Sequence, residues 1–306
     1  EQSMKITNNH NLPPFLVAAL SVDKYTKGDA DISVTQLIDS PRVKVLQEDM
    51  ANEMESDISE KVWSVFGTAA HGVMEDAVNA TESSDSVRLS EERLNVQVDD
   101  WKVSGAIDLQ EVHASDGTVS ISDFKVTSVW SVIFGKKSWE QQLNAYAWLV
   151  RYAKDQEVRD LSIVAILRDW QRRKAQLEDN YPSCPITVVP ITLWDKETQD
   201  AYMAERISIH RRAIYEQLTN GTVPFCTDED RWKQADKFAV MKKGRVRAIK
   251  LHDDLDNAEQ HAHNMGADHF VETRKGKNTR CVDDWCGVAQ WCDQYQSEVW
   301  GKEESN

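Results

Sequence analysis

No stretch of the 306-residue chain approaches the roughly 18 to 20 consecutive apolar residues that a bilayer span needs. The first residues also lack the basic-then-apolar layout of a secretory leader. Both absences favour a cytosolic chain with no membrane partner. Cysteine is scarce, five in all, and three of the five fall between Cys281 and Cys292. That distribution argues against a secreted disulfide framework and for an intracellular ligand set. Basic residues are outnumbered, 36 Lys and Arg against 51 Asp and Glu, for a formal charge of −15. Bulk charge of that sign argues against a protein that coats nucleic acid. Internal repeats are also missing.

What remains is a chain with 41% hydrophobic residues, enough for a sizeable core. Its charge is segregated. Acids gather early, at Glu48, Asp49, Glu53, Glu55, Asp57 and Glu60, whereas residues 231–250 hold eight bases against Asp236. Screening confines surface charge to about 8 to 10 Å, so a local basic face can grip phosphates on an acidic protein. Lys242, Lys243, Arg245 and Arg247 are the candidate phosphate contacts, the alternative being a solvated amphipathic face.

Residues 1–32 show little periodicity and are expected to form a loose arm. A cap at Ser33 or Thr35 then opens a helix that Pro41 breaks or restarts. In "SEKVWSVFGTAAHGVMEDAVNA" the residues Val62, Phe66, Ala69, Ala70, Val73 and Ala77 make an apolar helical stripe, with Gly67 and Gly72 permitting close approach. Alternation of period two in "RLNVQVDDWKVSGAIDLQEV" and "GTVSISDFKVTS" predicts three strands in a meander. The helical "SWEQQLNAYAWLVRYAKD", two dense apolar strands and a long helix ending before Asn220 complete residues 33–220, a mixed α/β core. Residues 221–306, rich in bases, Trp and Cys, are expected to be a separate appendage containing a small sheet or hairpin at "FAVMKKGRVRAIKL".

Three polar residues stand out in the meander. Asp123 and Lys125 are two apart on a strand and share a face, while Asp108 follows Gly105 at a place where a strand can bend. Two ionised carboxylates among apolar neighbours repel each other unless something cationic compensates. A divalent metal fits, with Asp108, Asp123 and the Phe124 carbonyl as hard oxygen ligands and Lys125 beside the attacking water. Taken alone, an Asp-x-Lys triplet reads first as a surface ion pair beside a turn.

The ordered set is more specific: Gly67 to His71 on a helix, Gly105 to Asp108, Asp123-x-Lys125, then Gln142 and Tyr146 one helical turn apart. It resembles the PD-(D/E)XK nuclease superfamily, and within it the RecB-like exonucleases that include CRISPR-associated adaptation nucleases and phage recombination nucleases. The resemblance covers about residues 33–215. It implies a restriction-endonuclease-like core, a central mixed sheet flanked by helices, that hydrolyses phosphodiester bonds with Mg2+ or Mn2+ and leaves a 5′-phosphate. By the same resemblance His71 is a metal ligand, Asp108 and Asp123 are the metal carboxylates and Lys125 positions the water. Gln142 and Tyr146 contact the DNA end and the active site. Glu75, one turn beyond His71, is either a further metal residue or a solvated charge.

The tail reads C-x(4)-C-x(5)-C through Cys281, Cys286 and Cys292. Grouped thiolates in a cytosolic protein hold zinc or an iron-sulfur cluster, and either needs a fourth ligand. Iron-sulfur nucleases of the resembled branch take it from an early Cys-Pro-Arg. Here Ser40 precedes Pro41 and Arg42, so that ligand is missing. Cys226 is the preferred replacement and Cys184 its competitor, and a four-iron four-sulfur cluster is preferred to Zn2+. Trp232, Trp285 and Trp291 are read as packing around that site rather than as base-stacking platforms.

The resemblance implies a phage-type DNA exonuclease acting in recombination, replication or DNA processing, with linear or single-stranded DNA as partner. A recombination or single-strand-binding protein is a further possible partner. The alternatives are a non-catalytic DNA-binding accessory protein and a structure-selective endonuclease.

Overall fold

The computed structural model describes residues 5–22, 28–81 and 83–303. Of the expected loose arm, residues 1–4 and 23–27 lie outside the described residues, as do 304–306 at the far end. The rest of the arm is not structureless. It contains β1 (Lys5–Thr7) and α1 (Pro14–Leu20), which Pro13 and Pro14 start, and it runs into β2 (Ile32–Ser33). Ser33 then caps α2 (Val34–Leu37), its side chain accepting from Gln36 N while the Gln36 side chain accepts from Ser33 N. Pro41 restarts the chain as α3 (Pro41–Asp49). β3 (Glu55–Asp57) pairs in parallel with β1.

The long helix α4 (Val62–Ala80) precedes the meander of β4 (Ser86–Val98), β5 (Trp101–His113) and β6 (Val119–Thr127). Then come α5 (Val129–Phe134), α6 (Lys137–Lys154), β7 (Val158–Leu167), α7 (Arg172–Leu177), β8 (Ile186–Ile191) and α8 (Lys196–Asn220). Among the described residues these strands form one six-stranded mixed sheet in the order β2-β5-β6-β7-β8, with β4 on the other side of β5. The β6–β7 pairing is parallel and β7–β8 antiparallel. α6 supplies the core over this sheet: Leu143, Tyr146, Ala147 and Leu149 are all buried against Val103, Ile107, Ile121 and Ile163. The helix stops at Asp155 in the left-handed region, with Arg151 and Lys154 in its last turn.

β5 is the strand that matters most. One of its edges is shared, β2 pairing at Val103 and Ser104 and β6 from Leu109 to Val112. Between those pairings the strands diverge. Asp108 and Asp123, the next residues beyond the Leu109–Ser122 pair, are therefore left at the fork outside the β5–β6 ladder, while Asp123 stays paired with Ile163 of β7.

α4 departs from expectation. None of its residues is buried, and Phe66 and Val73 are 61% and 66% exposed. Nothing lies within 4 Å of a Cβ built on Gly67 or Gly72. The helix touches the sheet only along a narrow edge, so the apolar stripe that periodicity detects is real but faces outward.

Past Gly221, which ends α8 in the left-handed region, the basic segment forms β9 (Lys237–Lys242) and β10 (Lys250–His252). α9 (Leu255–Met265) and β11 (His269–Arg274) follow, giving a three-stranded sheet ordered β10-β9-β11 with α9 packed on Val240 through Ala258 and Ala262. The short α10 (Thr279–Val282) and α11 (Asp293–Glu303) enclose the cysteines. This tail does not stand apart. Val288 and Cys292 share a small core with Val43 and Leu46 of α3, because a segment this short cannot bury enough apolar surface alone.

Candidate active site

The fork in the sheet gathers the residues that the sequence singles out. His71, on α4, lies over it with Nε2 2.8 Å from the Phe124 carbonyl oxygen. Its other nitrogen, Nδ1, is 3.6 Å from Asp108 Oδ1. Asp108 Oδ2 accepts from Phe124 N at 2.6 Å, locking its carboxylate against β6. Lys125 Nζ stands 2.7 Å from Asp123 Oδ2. That oxygen is buried, and the Lys125 ammonium meets it as an ion pair without hydrogen-bond geometry.

α6 completes the arrangement. Gln142 Nε2 donates to Asp123 Oδ1 at 3.3 Å and to Tyr146 Oη at 2.9 Å, as expected of two residues one turn apart. Gly105 explains why the helix can come so close. A Cβ there would sit 2.8 Å from both Leu149 Cδ1 and Tyr146 Cε1. The glycine before Asp108 thus serves helix packing, where strand bending was expected.

One participant escaped the sequence reading. Glu91 puts Oε1 3.4 Å from His71 Nδ1, and the donor atoms of His71, Glu91 and Asp108 all lie within 4.8 Å of one another. The pairs Ser90–Leu109 and Glu92–Ile107 set Glu91 opposite Asp108, yet this position drops out of the β4–β5 ladder. Its φ of 50° puts it in the left-handed region, which a non-glycine residue adopts at a cost. The only signal in the sequence is the Glu-Glu pair interrupting the alternation of β4, and that is too common to use. Neither Glu75 nor the expected ligand Asp123 is part of this group.

Electrostatics follow from the crowding. The Glu91 contact raises the His71 pKa to about 9 against the opposing effect of burial, with the Asp108 charge next in importance. Burial, and then the neighbouring Asp123, pushes the Asp108 carboxyl well above the usual carboxylate range. Hard carboxylate oxygens with one imidazole suit Mg2+ or Mn2+.

The cysteines form a second cluster. Cys226, Cys281, Cys286 and Cys292 line one largely apolar cavity. Cys184 is exposed elsewhere, its Sγ 2.8 Å from Ile186 O. Ser40 Oγ is 3.1 Å from Cys226 Sγ, and Arg42 donates from Nε to Cys292 Sγ at 3.2 Å. Burial raises the Cys226 thiol pKa to about 11. Trp291 packs beside this cavity, whereas Trp232 and Trp285 are 51% and 68% exposed, so the packing expectation fails for those two. Lys242, Lys243, Arg245 and Arg247 lie at the end of β9 and in the turn after it, in the three-stranded sheet and not in the six-stranded sheet that holds the carboxylate fork.

The sequence pattern of the PD-(D/E)XK nuclease superfamily matches residues 44–293. No curated protein matches. Among solved structures, SSO0001 is 18% identical, with 64% of this chain and 84% of that chain covered at a TM-score of 0.43. The alkaline exonuclease LHK-Exo from Laribacter hongkongensis is 8% identical, with 62% and 92% covered at a TM-score of 0.36. At such scores the likeness adds nothing to the reading of the site.

Proposed function

The chain belongs to the PD-(D/E)XK nuclease superfamily, and on that premise we propose that it is a Mg2+- or Mn2+-dependent deoxyribonuclease working as an exonuclease on DNA ends. The observation that carries this reading is the meeting of His71, Glu91 and Asp108 donor atoms within 4.8 Å of one another, beside an Asp123 held by Lys125 and Gln142. His71, Glu91, Asp108 and Asp123 would hold the cation. When bound, such a cation polarises the scissile phosphate and makes water easier to deprotonate. Lys125 holds the attacking water and stabilises charge developing on the phosphate. Gln142, bridging Asp123 and Tyr146, fixes the carboxylate so that no reorganisation is needed during the reaction.

The test uses end-labelled linear DNA and closed circular DNA with Mg2+ or Mn2+, comparing the protein with Asp123→Ala and Lys125→Ala. Release of nucleotides from linear ends by the unaltered protein alone is expected. Equal background from all three proteins sinks the enzymatic reading, and cleavage of closed circles converts it to an endonuclease.

We propose that the four cysteines, which line one cavity, hold a four-iron four-sulfur cluster, with Zn2+ as the alternative. A brown protein containing iron is expected on anaerobic purification. A colourless one with stoichiometric zinc overturns the assignment.

A further inference from the structure

α4 and α5 expose large aromatic side chains that the nuclease chemistry does not use. Trp63 and Phe66 are 56% and 61% exposed, Trp130 and Phe134 50% and 78%. They are arranged, not scattered. Trp130 and Phe134 stack with centroids 5.6 Å apart at 13°, and Trp63 meets Phe66 edge-on at 6.5 Å. Cations lie over the rings: the Arg168 guanidinium 4.6 Å from the Trp63 centroid and Lys174 Nζ 5.8 Å from that of Trp130.

This surface begins beside the carboxylate fork. β6 runs from Asp123 and Lys125 to Thr127, α5 starts at Val129, and Arg168 N donates to Thr127 O at 3.0 Å. Lys136 lies where burial, and then the like charges of Arg168 and Lys125, lower its pKa. Among the described residues Lys136, Arg168, Arg172, Arg173 and Lys174 form no ion pair. A protein with a net charge of −15 therefore concentrates unneutralised bases and bare aromatic rings on the approach to its fork.

Resting on the nuclease reading, we infer that Trp63, Phe66, Trp130 and Phe134, with Arg168 and Lys174, form a track that seats single-stranded DNA as it enters the active site. The chemistry favours unpaired bases. Each base has a free π-face to lay on a ring, and the interleaved cations meet the phosphates between. Duplex DNA has its bases stacked internally and offers these rings nothing. An apolar protein partner would leave the five bases uncompensated on desolvation.

The experiment measures binding of a labelled single strand and its matched duplex by fluorescence anisotropy, in EDTA so that no cleavage intervenes. Trp63→Ala, Phe134→Ala and Arg168→Ala are compared with the unaltered protein and with Phe15→Ala, which removes an exposed aromatic on α1. Each track variant should lose roughly fivefold or more in single-strand affinity, with duplex binding and the Phe15→Ala variant unchanged. Unchanged single-strand affinity in the track variants overturns the inference, as does an equal loss for both DNAs. A change of oligomeric state in those variants also overturns it, by marking a face between copies. Cleavage by the unaltered protein in Mg2+, run in parallel, separates this outcome from failure of the nuclease reading.

Discussion

Glu91 and Asp108 face each other across β4 and β5 and reach the same imidazole nitrogen, His71 Nδ1, at 3.4 and 3.6 Å. Like charges placed opposite one another across a ladder are destabilising unless a cation joins them. Glu91→Gln keeps the shape and removes one charge. Calorimetric Mn2+ binding should weaken roughly tenfold, and the His71 pKa, followed by NMR, should fall from about 9 toward its ordinary value. Unaltered Mn2+ affinity would remove Glu91 from the metal site.

Gly105→Ala tests the packing role of the glycine before Asp108. The added methyl would meet Leu149 and Tyr146 at 2.8 Å. Relief requires α6 to shift, and with it Gln142 and Tyr146. Denaturant unfolding should show a loss of about 1–3 kcal/mol, accompanied by weaker cleavage.

The metal-free protein should become less stable as pH rises from 6.5 through about 9. The folded-state pKa of His71 is raised, so its contribution is full below the unfolded value and is lost above the folded one. Asp108, raised from 3.8 to about 7, acts in the same direction but at lower pH, its effect being nearly complete by about pH 7. Divalent metal affinity should climb over the same interval, since bound ligands must shed their protons. Scanning calorimetry in EDTA across this range checks the first statement, and titration with Mn2+ the second.

Ser40 Oγ lies 3.1 Å from Cys226 Sγ although 186 residues separate them. On the proposed cluster reading, Cys226→Ser should abolish cluster binding, read as loss of visible absorption and of bound iron. In the Ser40→Cys, Cys226→Ser double variant a thiolate returns to nearly the same point, and both should recover. Failure to recover while the chain remains folded would show that the Ser40 position cannot ligate.

Much of the core was legible because its signals are local. Period-two alternation placed β4, β5 and β6, and helical spacing placed α6 and put Gln142 and Tyr146 on one face. The α4 stripe misled because periodicity reports that a helix has an apolar side and is silent about what covers it.

Residue type and short-range spacing determined which groups could do chemistry: Asp123 and Lys125 two apart on a strand, and three cysteines in one tail. Only the tertiary structure decided what they meet. The divergence of β5 from β6 opens the fork, the register across β4 and β5 brings in Glu91, and α3 carries Ser40 to Cys226. These are contacts between residues far apart in the chain. They depend on pairing and packing of whole elements, which no local pattern encodes.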